Sequence, residues 1–223
     1  MAAGSTAGAG AARPAAAPLT ERQEARRRRI LRAAAQLAAR GGFDAVQMRE
    51  VAESSQVALG TLYRYFPSKV HLLVATMQDQ LARLQGTLRK HPPAGETAAE
   101  RVAETLMRAF HSLQRRPLLA EAMVRALSFA DRSASTEVEQ VSRRTTAIIV
   151  EATGRAAPAP GELPAIRVIE HTWHSTLITW LSGRASIAEV RTDIETACRL
   201  IDLPAVAPGP AASASAERGP RNR

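Results

Sequence analysis

Residues 57–69 read Val-Ala-Leu-Gly-Thr-Leu-Tyr-Arg-Tyr-Phe-Pro-Ser-Lys, and their reading decides the fold. A short helix over this stretch is stopped at Phe66-Pro67, because the proline ring disfavours helical dihedrals at the residue before it. Ser68 then caps a following helix, with Lys69 in its first turn. Upstream, Met48-Arg-Glu-Val-Ala-Glu-Ser-Ser-Gln56 reads as a short amphipathic helix followed by a polar turn. The two helices together have helix-turn-helix proportions.

An αα-hairpin made only for packing has the same pattern, and the chemistry of the faces separates the two. Val51, Ala52, Val57 and Leu62 fall where the helices pack on each other, which leaves Arg49, Leu59, Gly60, Thr61, Tyr63, Arg64 and Tyr65 outside. Arg, Thr and Tyr beside a glycine suit phosphate contacts and close backbone approach. A DNA phosphate also suits the N-terminus of the helix that Ser68 opens.

From Gly42-Phe43 to Leu73, with Thr61-Leu-Tyr-Arg-Tyr-Phe-Pro-Ser-Lys69 at its centre, the chain resembles the DNA-binding domain of the TetR family of bacterial regulators. The resemblance implies that Thr61, Tyr63 and Lys69 contact phosphates and that Arg49 contacts a base. It also places Leu59, Gly60 and Tyr65 where the family reads base edges. Gln47 stands where the family often has Thr and Ala58 where it often has Ser, which leaves the capping of both helices open.

The 223 residues can bury a good core in one or two domains. Few aromatics and abundant Ala, Leu and Arg predict an all-α chain, and its punctuation divides it into about nine helices. Net charge is +9, which favours an anionic partner such as double-stranded DNA. From Thr20 to Lys90 there are 13 Lys or Arg against 6 Asp or Glu, so the basic balance gathers around the helix-turn-helix. The single cysteine, Cys198, excludes an internal disulfide and a Cys-based zinc site, and fits a small buried residue in a reducing cytoplasm. No membrane-length apolar run and no signal-peptide pattern is present, so the expected location is cytoplasmic, at the nucleoid.

Residues 1–18 and 204–223 are Ala, Gly and Pro rich and are expected to be disordered tails. Between them, residues 19–67 are expected to form the DNA-binding domain and 68–203 an effector-binding and dimerisation domain. The first helix opens at Thr20, with Gln23 completing a capping box, closes at Gly41 and turns Ile30, Ala34 and Leu37 inward. Arg26 to Arg29 reads either as a solvated surface or as a phosphate or minor-groove contact. A stripe of Val70, Leu73, Val74, Met77, Leu81, Leu84 and Leu88 predicts one helix from Ser68 to Lys90, roughly 34 Å long and able to link two domains.

Further helices are predicted around Val102, Leu106, Phe110 and Leu113, over Leu118 to Leu127 after Pro117, and over Val138 to Val150. Gly154 to Pro164 reads as a loop. Pro164 is expected to begin a helix with Ile166, Ile169, Trp173, Leu177, Trp180 and Leu181 on one face. Ser186 and Glu189 cap a last one carrying Ile187, Val190, Ile194 and Ile201. Faces this apolar suggest burial against a second copy through Trp180, Ile187, Val190 and Ile194, with burial of both Trp in a monomer core as the competing reading. The family resemblance favours a homodimer built on the last two helices and a palindromic operator.

Pro117 to Asp131 and Trp173 to Ser186 resemble a narrower group within the family, repressors of bacterial cholesterol catabolism. That resemblance implies a sterol side-chain acyl-CoA thioester as effector. Met107, Phe110, Met123, Leu127, Phe129, Trp173 and Leu177 are the expected effector-binding residues, each with simple core packing as its alternative. Arg115, Arg116, Arg125 and Arg132 are candidates for holding the CoA end.

Enzyme readings find no support: Gly-x-Ser-x-Gly, a phosphate-binding glycine loop, Cys pairs and His-Glu-x-x-His are all missing from the chain. No cofactor is expected, and no metal either, since Glu170, His171 and His174 are a thin ligand set. Three other readings stay open: a regulator of another hydrophobic ligand such as a fatty acyl-CoA or a drug, a DNA-binding dimer without effector, and an acyl-CoA carrier.

Overall fold

Four of the described helices begin where a Ser or Thr side chain takes over an unpaired backbone group of the first turn. In the computed structural model, which describes residues 20–158 and 162–203, the helices are α1 (Glu21–Gly41), α2 (Met48–Ser54), α3 (Leu59–Tyr65), α4 (Lys69–Lys90), α5 (Ala98–Gln114), α6 (Pro117–Ser128), α7 (Ser135–Ala152), α8 (Glu162–Leu181) and α9 (Ile187–Cys198). Short 3-10 turns at Arg132–Ala134 and Arg199–Ile201 precede α7 and follow α9. The chain is all-α among the described residues, as its composition predicts.

Capping boxes open α1 (Thr20 with Gln23), α5 (Thr97 with Glu100) and α9 (Ser186 with Glu189), each satisfying two orphan N–H groups reciprocally. Ser68 accepts from the amide of His71 at the start of α4, and Pro117 sits in the first turn of α6, where its missing N–H leaves no bond unmade. Gln47 and Ala58 provide no side-chain cap, so the first turns of α2 and α3 leave N–H groups to solvent. The helix expected from Pro164 starts two residues earlier, at Glu162, because a proline is tolerated anywhere in a first turn. Ile201 lies in the 3-10 turn beyond α9. The expected tails and residues 159–161 of the expected loop lie outside the described residues.

Two cores form. The first joins α1, α2, α3 and the front of α4 through Ile30, Leu31, Val51, Leu62, Leu72 and Leu73, and α6 adds Leu119, Ala122, Met123 and Ala126 to it. The second gathers Val102 and Phe110 of α5 with Ile149, Ile166, Ile169, Val190 and Ile194. Phe110 meets Trp180 edge-on with ring centres 4.9 Å apart, a favoured aromatic geometry.

Two of the residues expected at a dimer interface are placed differently. Val190 and Ile194 are buried inside the protomer, where α9 packs on α5, so they present no surface to a second copy. Trp180 is half-buried against Phe110, and Ile187 alone of the four is exposed. An apolar face read from periodicity says that it is buried, not by what.

Leu72 of α4 is fully buried where α1 and α6 pack on that helix. Leu72→Ala should cost about 2–5 kcal/mol of stability through lost burial and a residual cavity, read as a shift in the urea unfolding midpoint of the full chain.

Candidate functional site

The first site is the outer face of α2 and α3. Between them Ser55 donates its hydroxyl to the Val51 carbonyl at 2.6 Å, Gln56 takes a left-handed backbone (φ 54°), and Val57 N–H returns to the Ala52 carbonyl at 3.0 Å. The turn therefore closes on backbone bonds. Val51, Ala52 and Leu62 go under, while Arg49, Gly60, Tyr63 and Arg64 are exposed and Leu59 and Thr61 half-buried. A Cβ on Gly60 would meet nothing within 4 Å, so this side of α3 is open to a close-approaching partner.

Tyr65 and Lys69 have partners inside the protein. The Tyr65 hydroxyl donates to the Gln23 carbonyl at 3.5 Å, a long contact between α3 and the start of α1. Lys69 donates from Nζ to the Phe43 carbonyl at 3.2 Å, with Nζ also 4.2 Å from the centre of the Phe43 ring. Within the Arg26–Arg29 run, Arg27 lies over the Phe66 ring at 5.8 Å while Arg28 and Arg29 are exposed.

The second site is a cavity of about 820 Å³, partly open to solvent and lined by α4, α5, α6, α7 and α8. Met123, Leu127, Trp173 and Leu177 line it, as expected from the sequence, together with Met77, Leu81, Leu84 and Leu119. Met107 and Phe110 do not; they face the second core on the other side of α5. Phe129 does not either, being 72% exposed beyond the end of α6. Helical spacing marked all seven as apolar positions, but only the packing of five helices decides which of them border empty space.

The cavity is chemically polarised. Arg115 and Arg116 line it at the junction of α5 and α6, with Arg83 and Arg108 also in its wall. Arg125 and Arg132 are not part of it. Ser128 is the last of the 12 residues of α6 that follow that basic junction, about 18 Å away at helical rise. There the Ser128 hydroxyl lies 3.4 Å from His174 Nε2, and Glu170, His171 and Ser142 share the wall. Thr146 donates to the Glu170 carboxyl at 2.5 Å. Burial pushes that carboxyl up from its ordinary value, and burial followed by the nearby His171 pushes His174 down. The three residues first weighed as metal ligands form a polar patch in an apolar wall. Ser142 and Ser128 carried no signal in sequence, because a serine in a helix is usually a surface residue.

Residues 30–76 match the model of the tetR family of bacterial regulatory proteins, and residues 95–201 match a tetracyclin repressor-like C-terminal domain. The HTH-type transcriptional repressor KstR of Mycobacterium tuberculosis is 42% identical over 182 residues, which is 82% of this chain and 83% of that protein. This chain belongs to the TetR family. A TetR transcriptional regulator from Rhodococcus sp. RHA1 superposes with a TM-score of 0.77 at 39% identity, covering 81% of this chain and 97% of that one. The Thermus thermophilus repressor FadR, crystallised in complex with lauroyl-CoA, has the same fold, with a TM-score of 0.64 at 22% identity over 82% of this chain and 98% of that one.

The patch gives this TetR-family chain a pH signature. His174 binds its proton less readily folded than unfolded, so as pH falls below about 6.5 the unfolded chain takes up the proton first and stability is lost. Glu170 has the opposite sign, because its raised affinity favours the folded state as pH falls towards 4.5. Between about pH 7.5 and 5.5 the melting temperature of the wild type should therefore fall further than that of His174→Gln, measured by calorimetry in one buffer series.

Proposed function

We propose that this chain is a transcriptional repressor that binds DNA as a homodimer on an inverted-repeat operator and is released by a large hydrophobic effector. The observation that carries the reading is the pairing of an open Arg49–Thr61–Tyr63 face, whose helices share a core with the front of α4, with an 820 Å³ cavity lined by the rest of α4. Residues 19–67 act as the DNA-binding domain and 68–203 as the effector and dimerisation domain. Arg49, Leu59, Gly60 and Tyr65 face base edges; Thr61, Tyr63 and Lys69 hold phosphates. Lys69 would then bridge a phosphate and the Phe43 carbonyl, since an ammonium has three donors.

The effector is a sterol-derived acyl-CoA thioester, and the genes controlled serve lipid or cholesterol catabolism. Support comes from the KstR relatives and from the cavity itself, whose apolar middle suits a fused-ring or acyl body and whose Arg115 and Arg116 suit phosphate oxygens. Met123, Leu127, Trp173 and Leu177 contact the apolar body. A fatty acyl-CoA is the second reading, favoured by the lauroyl-CoA bound to the T. thermophilus FadR. Dimerisation uses the exposed sides of α8 and α9, including Ile187 and the partly exposed Trp180. No described helix is long and apolar enough to cross a membrane, and the repressor works in the cytoplasm, on the nucleoid, without catalytic activity.

Repression is supported by the KstR relatives, and release from the operator has a geometric basis. A two-fold dimer must set its two α3 helices about 34 Å apart to enter successive major grooves. An effector that binds better when the heads are displaced lowers operator affinity by that differential, and by nothing else. Movement of α4 carries the displacement, because it runs from Lys69 under the head to Lys90 past the cavity.

Purified protein titrated into its own upstream region, at fixed salt with nonspecific competitor, should bind tightly and be released by a steroid acyl-CoA but not by the free acid. Binding that ignores every thioester would leave the DNA-binding function and remove the effector. Arg49→Ala should weaken that specific binding by about 1–3 kcal/mol and relax sequence preference at one position of each half-site; unchanged affinity would remove Arg49 from base readout. Arg115→Ala with Arg116→Ala should weaken thioester binding by at least tenfold, about 1.4 kcal/mol, while leaving operator affinity alone, as read by calorimetry and gel shift.

A further inference from the structure

Threonines inside the helices of this protein mostly return their hydroxyls to their own backbone. Thr76, Thr87, Thr145, Thr176 and Thr192 each donate to the carbonyl four residues earlier, at 2.6–3.0 Å. Thr146 reaches across to the Glu170 carboxyl instead. Thr105 of α5 does neither: it is fully buried, and its hydroxyl has no hydrogen-bond partner among the described residues. A buried hydroxyl left unpaired is costly, so this one calls for a partner from outside the chain.

Thr105 borders a smaller pocket of about 240 Å³ and has no part in the wall of the large cavity. Leu88 at the end of α4, with Ile148 and Ala152 of α7, gives this pocket buried apolar walls. Pro92 and Pro93, from the loop between α4 and α5, add a stiff apolar edge. Arg89 and Glu151 stand exposed at the rim, where Arg89 Nε donates to the Glu151 carboxylate at 2.8 Å and Gln85 donates to the same carboxylate at 2.8 Å. The rim charges therefore answer each other. Leu88 borders both spaces, which are neighbours with separate polar groups.

We propose that this pocket is a further binding site, distinct from the effector cavity, for a small uncharged molecule with an apolar body and one oxygen, such as a cyclic alcohol or ketone, held by the Thr105 hydroxyl. A hydroxyl both donates and accepts, so it can meet either group. An ionic ligand is disfavoured, because it would have to part Arg89 from Glu151. Size agrees: a cavity of about 150 Å³ holds benzene, so the pocket beside Thr105 has room for a six-membered ring and its substituent. The site does not depend on the repressor reading.

Cyclohexanol and cyclohexanone are the probes, titrated into full-length protein with isotope-labelled Ile and Thr methyl groups and followed by NMR. Both should shift the Thr105 and Ile148 methyl signals saturably, while Thr145, which lines the large cavity and not the pocket, reports binding there. Thr105→Val keeps the shape, removes the hydroxyl, and should weaken both probes at Ile148 by about fivefold, the worth of one neutral hydrogen bond. Ala152→Leu fills the pocket and should abolish the Thr105 shift, so the site is still tested if one variant fails to fold. Wild-type shifts confined to Thr145, or no saturable shift at Thr105 and Ile148, would overturn the proposal, the latter meaning that water alone answers the hydroxyl. Equal affinity in folded Thr105→Val would overturn it too, because the hydroxyl would then hold nothing. None of these results bears on operator binding.

Discussion

Burial of the front of α4 is the contact on which the rest of the molecule depends. Leu72, Leu73 and Val74 are fully buried and belong to the same core as Ile30 and Leu31 of α1, Leu62 of α3, and Met123 of α6. Each such side chain is worth about 1.5–3 kcal/mol of transfer free energy. Helices α2 and α3, each 7 residues long, are unstable alone; α2 packs on α1, α3 packs on α2, and Val51 and Leu62 tie both into that core. The outer face of α2 and α3 is therefore seated on α1 and on a core shared with the front of α4, a helix whose far end borders the cavity.

Sharing a core in this way leaves the two functions physically joined. Had α1, α2 and α3 closed a core of their own, the body could change shape without disturbing the reading face. Instead α6 contributes to the first core with Ala122 and Ala126, to the cavity with Leu127, and to the head's loop with Glu121 and Arg125. Close-packed interiors transmit displacement because they have little free volume in which to absorb it. The cavity is a large exception to that packing, and it lies against α4 and α6, which reach the head.

Polar placement inside the body follows the same economy. Thr146 satisfies Glu170, Ser128 approaches His174, and Arg155 holds the buried Glu162 at 2.7 Å. Each of these buried or half-buried groups thus has a polar partner. Cys198, buried with its thiol pushed up to about 12, is by contrast chemically quiet, because the thiolate that would react is not formed at neutral pH.

Much was legible in the chain itself. Capping residues at Thr20, Ser68 and Ser186, the stop at Pro67 and the start at Pro117 act within a few residues of where they stand, so the elements they bound could be read from sequence. The outward set on α2 and α3 was readable for the same reason, since two short helices joined by a fixed turn leave few ways to pack. What the sequence could not decide was the neighbour of each apolar face. Val190 and Ile194 had the pattern of an interface and became core; Met107 and Phe110 had the pattern of a cavity wall and became core as well. Arg125 was a candidate for the ligand and turned out to hold Phe43. Periodicity records that a face leaves water. Which surface it meets, and whether a void lies between them, is settled only when distant helices are brought together, because that depends on volumes and angles that no local spacing contains.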